Sequence, residues 1–181
     1  VSEFGFTTLR TRYSGCWETI EINNSIDSIC STFSVSTNDF FQEEQNLWNI
    51  KKGDLYAADV DGEVISIGFL ERVSISYSGE GNQISFSSRD RTCDLVDCEW
   101  NNPNNEFKKQ SIYNIITRLC IDYGILVIMD PIAALTASIL IDTFKINEGE
   151  TIWNAIVRLC NEYGILPLNY GDGNIHLTFS P

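Results

Sequence analysis

Two stretches forty residues apart carry nearly the same letters, "SIYNIITRLCIDYGIL" from Ser111 and "TIWNAIVRLCNEYGIL" from Thr151. Identity holds at Ile112/Ile152, Asn114/Asn154, Ile116/Ile156, Arg118/Arg158, Leu119/Leu159, Cys120/Cys160, Tyr123/Tyr163, Gly124/Gly164, Ile125/Ile165 and Leu126/Leu166. An ungapped match this dense is an internal repeat, the signature of one supersecondary unit written twice. Each copy opens on a hydroxyl, Ser111 or Thr151, that can accept an orphan amide hydrogen of a helix's first turn. Apolar residues then recur at helical spacing: Ile112, Ile115, Ile116, Leu119, Cys120 and Tyr123 in the first copy, Ile152, Ala155, Ile156, Leu159, Cys160 and Tyr163 in the second. That is one buried stripe per helix. Arg118 with Asp122, and Arg158 with Glu162, read as i,i+4 pairs on the wet side. Gly124 and Gly164 stand where a left-handed C-cap needs no Cβ. The strands "ILVIM" and "ILPLNY" follow. The content of the repeat is packing.

The first half of the chain reads as strands. "WETIEI" (17–22) alternates, with Trp17, Thr19 and Glu21 on one side and Glu18, Ile20 and Ile22 on the other. "STFSVST" (31–37) alternates through Phe33 and Val35. Further strands are expected within 54–78 and 83–90. Asp61-Gly62 between two alternating runs predicts a type I′ hairpin, and "SGEGN" (78–82) a second turn. Gly68, inside a strand, predicts a bulge or a corner. Residues 38–54 read as a long loop with Phe40, Phe41 and Trp48 packed beneath it. "CEWNNPNNEFKKQ" (98–110) suggests a boundary. "DTFKINEGE" supplies a strand and a turn before the second helix, and Asp172-Gly173 a tight turn into a C-terminal hairpin. The expected fold is therefore α+β. An antiparallel β-barrel-like domain spans 1–98, and a smaller α/β region spans 99–181. The second region contains the helix–strand units 111–130 and 151–170.

The chemistry that these residues exclude is as informative. With 25 Asp and Glu against 12 Lys and Arg, the net charge is −13. That opposes binding of a phosphate backbone, so no sequence-specific nucleic-acid binding is expected; only Arg89, Arg91 and Lys108–Lys109 make small basic spots. The acidic surface serves solubility equally well. Six Cys and one His lack metal-ligand spacing, and neither GxxxxGK[ST] nor GxGxxG occurs. No metal, cofactor or catalytic residue is assigned. His176 has no nucleophile motif, and Asp94, Asp97 and Glu99 read as charges at a domain rim rather than an acid/base set. "DVDGE" (59–63) lacks the twelve-residue loop of a calcium site. The thiols are expected to be reduced. The longest apolar run is broken at Asp130-Pro131 and is too short to span a bilayer, so no membrane anchor is expected. Residues 1–10 lack a basic start and an apolar stretch, so no signal peptide is expected either.

Taken in order, four segments resemble one family, the baseplate hub proteins of Mu-like contractile phage tails and prophages. They are "WETIEINNSIDSICSTFSVS" (17–36), "GDLYAADVDGEVISIGFLERV" (53–73), "ISFSSRDRTCDLVDCEW" (84–100) and "FKINEGETIWNAIVRLCNEYGILPLNYGDGNIHLT" (144–178). Ser88 stands where that family has Gly, and Glu148 where it has Pro. Such proteins are about twice this length, so the resemblance implies an N-terminal half, a shortened hub or a truncated form of one. The resemblance implies a structural adaptor and no enzyme: a homotrimeric ring of barrel domains joining the tail tube to the central spike. Its partners would be copies of itself, tube, spike and other baseplate proteins. It would be assembled in the host cytoplasm and located in the virion tail. The segment 144–163 also resembles the first half of a LysM glycan-binding module. That module would need a second helix before its last strand.

Overall fold

Alternating side chains and turn residues in the first half produce strands β1 (Phe4–Thr8), β2 (Arg12–Ser14), β3 (Trp17–Ser25), β4 (Ser28–Asn38), β5 (Leu55–Val60), β6 (Glu63–Ser78) and β7 (Gly81–Asp90). The structure, a computed structural model, describes residues 3–8, 12–14, 17–26, 28–38, 50–78 and 81–179. Its two units comprise residues 1–91 with 171–173, and 92–170 with 174–181. The seven strands form one antiparallel sheet in the order β2-β1-β5-β6-β7-β4-β3. Asp61 and Gly62 both have positive φ (53° and 85°) between the paired Val60 and Glu63, as a type I′ turn requires. Of the second expected turn, Ser78 pairs with Gly81, while Gly79 and Glu80 lie outside the described residues. Phe40, Phe41, Trp48 and Cys16 lie outside them too.

The sheet is strongly curled. Flat strands spaced about 4.8 Å apart would set β1 and β4, four steps apart, roughly 19 Å from each other. Yet the rings of Phe6 (β1) and Phe33 (β4) stack at 5.7 Å, and Phe4 meets Trp17 of edge strand β3 edge-on at 5.7 Å. Side chains reaching inward cover part of that gap, and curvature supplies the rest. Phe6, Phe33, Tyr56 and Phe86 fill the concave side, fully buried. Burial pushes the Tyr56 phenol up to about 12, although its hydroxyl is hydrogen-bonded to Ser66 Oγ at 2.9 Å. Among the described residues no ladder joins β2 to β3. The described strands thus form one large curled antiparallel sheet, without closure into a barrel among them.

Bulges generate the curl. The register shifts at Ile65 and Glu71 of β6, which flank Gly68, at Glu18 of β3, and over residues 29–31 of β4, which face Asn24 alone on β3. The Glu18 bulge corrects the strict alternation read from "WETIEI". One extra residue returns Trp17, opposite Thr37, to the same face as Ile22, opposite Phe33, and both pack on the core. At Gly68 the reason for glycine is close approach. A Cβ there would lie 2.5 Å from the Arg89 carbonyl oxygen and 2.9 Å from Asp90 Cα.

The second unit contains α1 (Cys93–Asp97), β8 (Glu106–Ser111), α2 (Ile112–Cys120) with a 3₁₀ turn (Ile121–Tyr123), β9 (Val127–Met129), α3 (Pro131–Ala137), β10 (Leu140–Lys145), α4 (Ile152–Glu162), β11 (Ile165–Leu168) and β12 (Ile175–Phe179). Both caps form as the repeat predicts: Ser111 Oγ accepts from the Asn114 amide at 3.2 Å, and Thr151 Oγ1 from the Asn154 amide at 3.3 Å. Both stop glycines have φ of 67°. The stripes Ile112, Ile115, Ile116, Leu119, Cys120 and Ile152, Ala155, Ile156, Leu159, Cys160 are fully buried in one core with Ile125, Val127, Ile165, Ile175 and Leu177. β8 pairs antiparallel with β10. β9 and β11 flank β12, parallel and antiparallel to it respectively, so the two repeat strands run in opposite directions, as a two-fold axis would place them. β11 and β12 form the C-terminal hairpin. Leu168 pairs with His176, so the connection is a loop over residues 169–174 rather than a tight turn at Asp172-Gly173; Gly171 and Gly173 supply its positive φ values. Helix α3 is absent from the sequence-based expectation, although Pro131 at its start is a helix-opening signal.

Two consequences can be measured. Gly68→Ala forces the β7 backbone to move, so urea unfolding should show a loss of about 1–3 kcal/mol; an unchanged midpoint would refute the close-approach account. Burial, with the Cys160 thiol close by, pushes the Cys120 thiol from 9.0 up to about 12, and burial does the same for Cys160. The unfolded chain ionises these thiols from about pH 9 while the folded core keeps them neutral. Their contribution is therefore complete below pH 9 and is lost as pH rises towards 12. The unfolding midpoint should fall across that window, and less steeply in the Cys120→Ala/Cys160→Ala double variant. Equal slopes would contradict the assignment.

Candidate interaction surfaces

The residues that carried candidate chemistry are engaged in structure. Asp59, on β5, is nearly buried and pairs with Arg12 Nη2 at 2.8 Å, and Asp61 Oδ1 accepts from the Glu3 amide at 2.7 Å. Two carboxylates of "DVDGE" thus hold strand and turn. Asp94 and Asp97 lie on α1, and Glu99 forms an isolated bridge with Thr151. His176, half-buried on β12, meets the Tyr170 ring edge-on at 4.7 Å. Among the described residues no three His, Cys, Asp or Glu side chains gather as metal ligands, and Cys98, Cys120 and Cys160 are thiols outside any disulfide. No helix there is long and apolar enough to cross a membrane. The LysM comparison fails at β11–β12, where the connecting loop holds no helix.

Arg158 departs from its expected pairing. Its guanidinium turns from Glu162 to Glu150, donating from Nε and Nη2 to the two carboxylate oxygens, each at 2.8 Å. Nη2 also donates to the Lys145 carbonyl at 2.9 Å, and the guanidinium lies 4.6 Å over the Phe144 ring. Glu150 in turn accepts from the Asn147 amide at 2.9 Å. The end of β10, the Gly149 turn and the middle of α4 are thereby tied together. The first repeat has Gln110 at the position forty residues before Glu150, and Arg118 instead makes the expected i,i+4 pair with Asp122 at 3.6 Å. The sequence signal for the clamp is the "GET" turn itself, a carboxylate immediately before the cap.

The remaining surface features are a groove and exposed apolar side chains. A groove of about 310 Å³ on the first unit is lined by Glu21 and Asn23 of β3, Thr32 and Ser34 of β4, Glu71 of β6 and Arg89 of β7 among others. Arg89 is paired across it with Glu71, Nη2 to Oε1 at 3.0 Å. In the second unit Leu126, Ile128, Ile132, Leu135, Ile139 and Leu140 are exposed.

Comparison with known proteins identifies the class. Residues 11–90 match the family described as Mu phage baseplate assembly protein GpP-like, N-terminal, and residues 92–179 match baseplate hub protein gp44-like, second domain. The chain belongs to the Mu-like phage baseplate hub and tail protein family. It is 22% identical to baseplate hub protein gp44 of Escherichia phage Mu over 111 residues, 61% of this chain and 29% of that protein. The 43 kDa tail protein of prophage MuSo2 from Shewanella oneidensis superposes with a TM-score of 0.84 at 27% identity, over 100% of this chain and 56% of its own. A tail protein from Neisseria meningitidis MC58 gives 0.76 at 18% identity, over 97% and 51%. The chain thus spans about half the length of those solved tail proteins and less than a third of gp44.

The clamp carries its own prediction. Hydrogen bonds from Arg158 above all hold the Glu150 carboxyl below its usual range. Its contribution is therefore present above about pH 4.5 and is lost as pH falls through the lower, folded value. Glu150→Gln should cost roughly 1 kcal/mol at pH 7, since the guanidinium is partly exposed. The difference from wild type should narrow steadily as pH falls below about 4.5. A gap that stays constant on acidification would mean the carboxylate charge is not what holds the turn.

Proposed function

We propose that this chain acts in the baseplate hub of a contractile phage tail or tail-like particle, joining the tail tube to the central spike as part of a homotrimeric ring. The observation that carries this reading is the tandem order of the two families, a GpP-like segment over 11–90 followed at once by a gp44-like second domain over 92–179. Its relatives are tail and baseplate proteins, and the role taken from them is structural rather than catalytic.

The physical features support an adaptor. The curled sheet of the first unit leaves β2 and β3 as open edges, the unfinished side of a barrel that further chain or a neighbouring subunit completes. Two such barrel-like domains in each of three subunits would give six similar faces to a six-fold tube. The net charge of −13 suits a ring around a DNA conduit, since a like-charged wall does not trap phosphate. The partners are then tube, spike, other baseplate proteins and copies of the chain, and the location is the virion tail after assembly in the host cytoplasm.

Electron microscopy of particles from producing cells tests the reading. Cells lacking the gene should release tubes and sheaths without finished baseplates, and the gene supplied in trans should restore them. Normal baseplates in the deletion would sink the proposal.

A further inference from the structure

We infer that the outer face of α3 is a docking surface for a second copy of this chain, an assignment that rests on the oligomeric hub reading. Ile132 and Leu135, one turn apart, are 71% and 82% exposed, and Ile139 and Leu140, immediately after the helix, are 45% and 69% exposed. On the opposite side of the same helix Ala133 and Ala137 are buried in the core. Small residues seat the helix while large apolar ones face out. That is the reverse of what a solvent-facing helix requires.

The size of this face suits a protein partner. Four large aliphatic side chains exposed to this degree leave on the order of 500 Å² of apolar surface, at the upper end of the largest patch on an ordinary monomer. Matched by an equal area on the partner, it reaches about 1,000 Å², where specific protein contacts begin.

Charge selects the partner. From Pro131 to Ile141 no residue is charged, whereas the chain as a whole carries −13. A second copy brings the same −13, and two such molecules repel wherever their carboxylates face each other. The 131–141 stretch lets them touch without opposing like charges, and Asp130 and Asp142 bound it. A basic partner would be drawn to the acidic surface elsewhere and gains nothing from this one.

Sedimentation velocity over a concentration series tests the assignment with wild type, Leu135→Glu, and Ile75→Glu as a control at an exposed apolar site on β6. Wild type should self-associate, Leu135→Glu should weaken that association at least tenfold, and Ile75→Glu should behave as wild type. Circular dichroism should be unchanged, and so should the thermal midpoint at a concentration where wild type is dissociated, because Leu135 faces solvent in the single chain. If Leu135→Glu lowers the midpoint, the milder Ile132→Ser/Leu135→Ser pair decides by the same tenfold criterion. Association of these variants as tight as wild type overturns the face while leaving the ring reading intact. A wild-type chain monomeric across the series overturns the proposal outright, including the case in which α3 serves a different protein. The hub reading is judged separately, by particle assembly.

Discussion

The second unit depends on two short helices burying their apolar stripes against the same strands. Helices of nine and eleven residues are not stable alone in water. α2 and α4 persist because Ile116, Leu119 and Cys120 on one, and Ile156, Leu159 and Cys160 on the other, are all fully withdrawn from solvent into one core. Each copy of the repeat supplies half of a core that neither could close by itself. This is why so many letters recur at equal spacing: a stripe, a cap and a stop must all be right in both halves. The Arg158–Glu150 clamp is an elaboration found in the second copy and not the first.

The first unit is organised by a different constraint. Its core is an aromatic stack on the concave side of a single sheet, and the sheet can wrap that stack only by bending. Bulges at Ile65 and Glu71, with Gly68 between them, provide the bend without breaking the ladder to β7. Buried polar groups are matched locally. The Tyr56 hydroxyl meets Ser66, and the Ser31 amide donates to the fully buried Asp90 carboxylate at 2.9 Å.

How much was legible in the sequence follows from the range of each interaction. The caps at Ser111 and Thr151, the stop glycines, the helical stripes and the Asp61-Gly62 turn were legible because each depends on residues within one or two turns of chain. The Trp17 face was not, because a bulge is decided by the partner strand: period two is preserved in the letters and broken only by pairing with Thr37 and Ser36. Arg158 was assigned to the nearest carboxylate on its own helix, whereas folding brings Glu150 from the preceding turn into bidentate reach. Helix α3 leaves little trace in the letters because its uncharged, largely apolar run has no polar face to set a helical period, and only Pro131 marks its start. A docking face is the least legible feature of any sequence, since it has no local motif, and the tandem family likeness speaks to the class of protein rather than to its contacts.

Edge strand β3 is bulged at Glu18 and loses regular pairing at Asn24, which faces three residues of β4. That strand is an exposed edge of the sheet, and an edge is a template on which another strand can add. Irregular backbone at Glu18 and Asn24, together with the outward acids Glu18 and Glu21, makes a poor template for indiscriminate pairing. Strand addition along β3 is thereby restricted to a partner strand shaped to follow the same kinks.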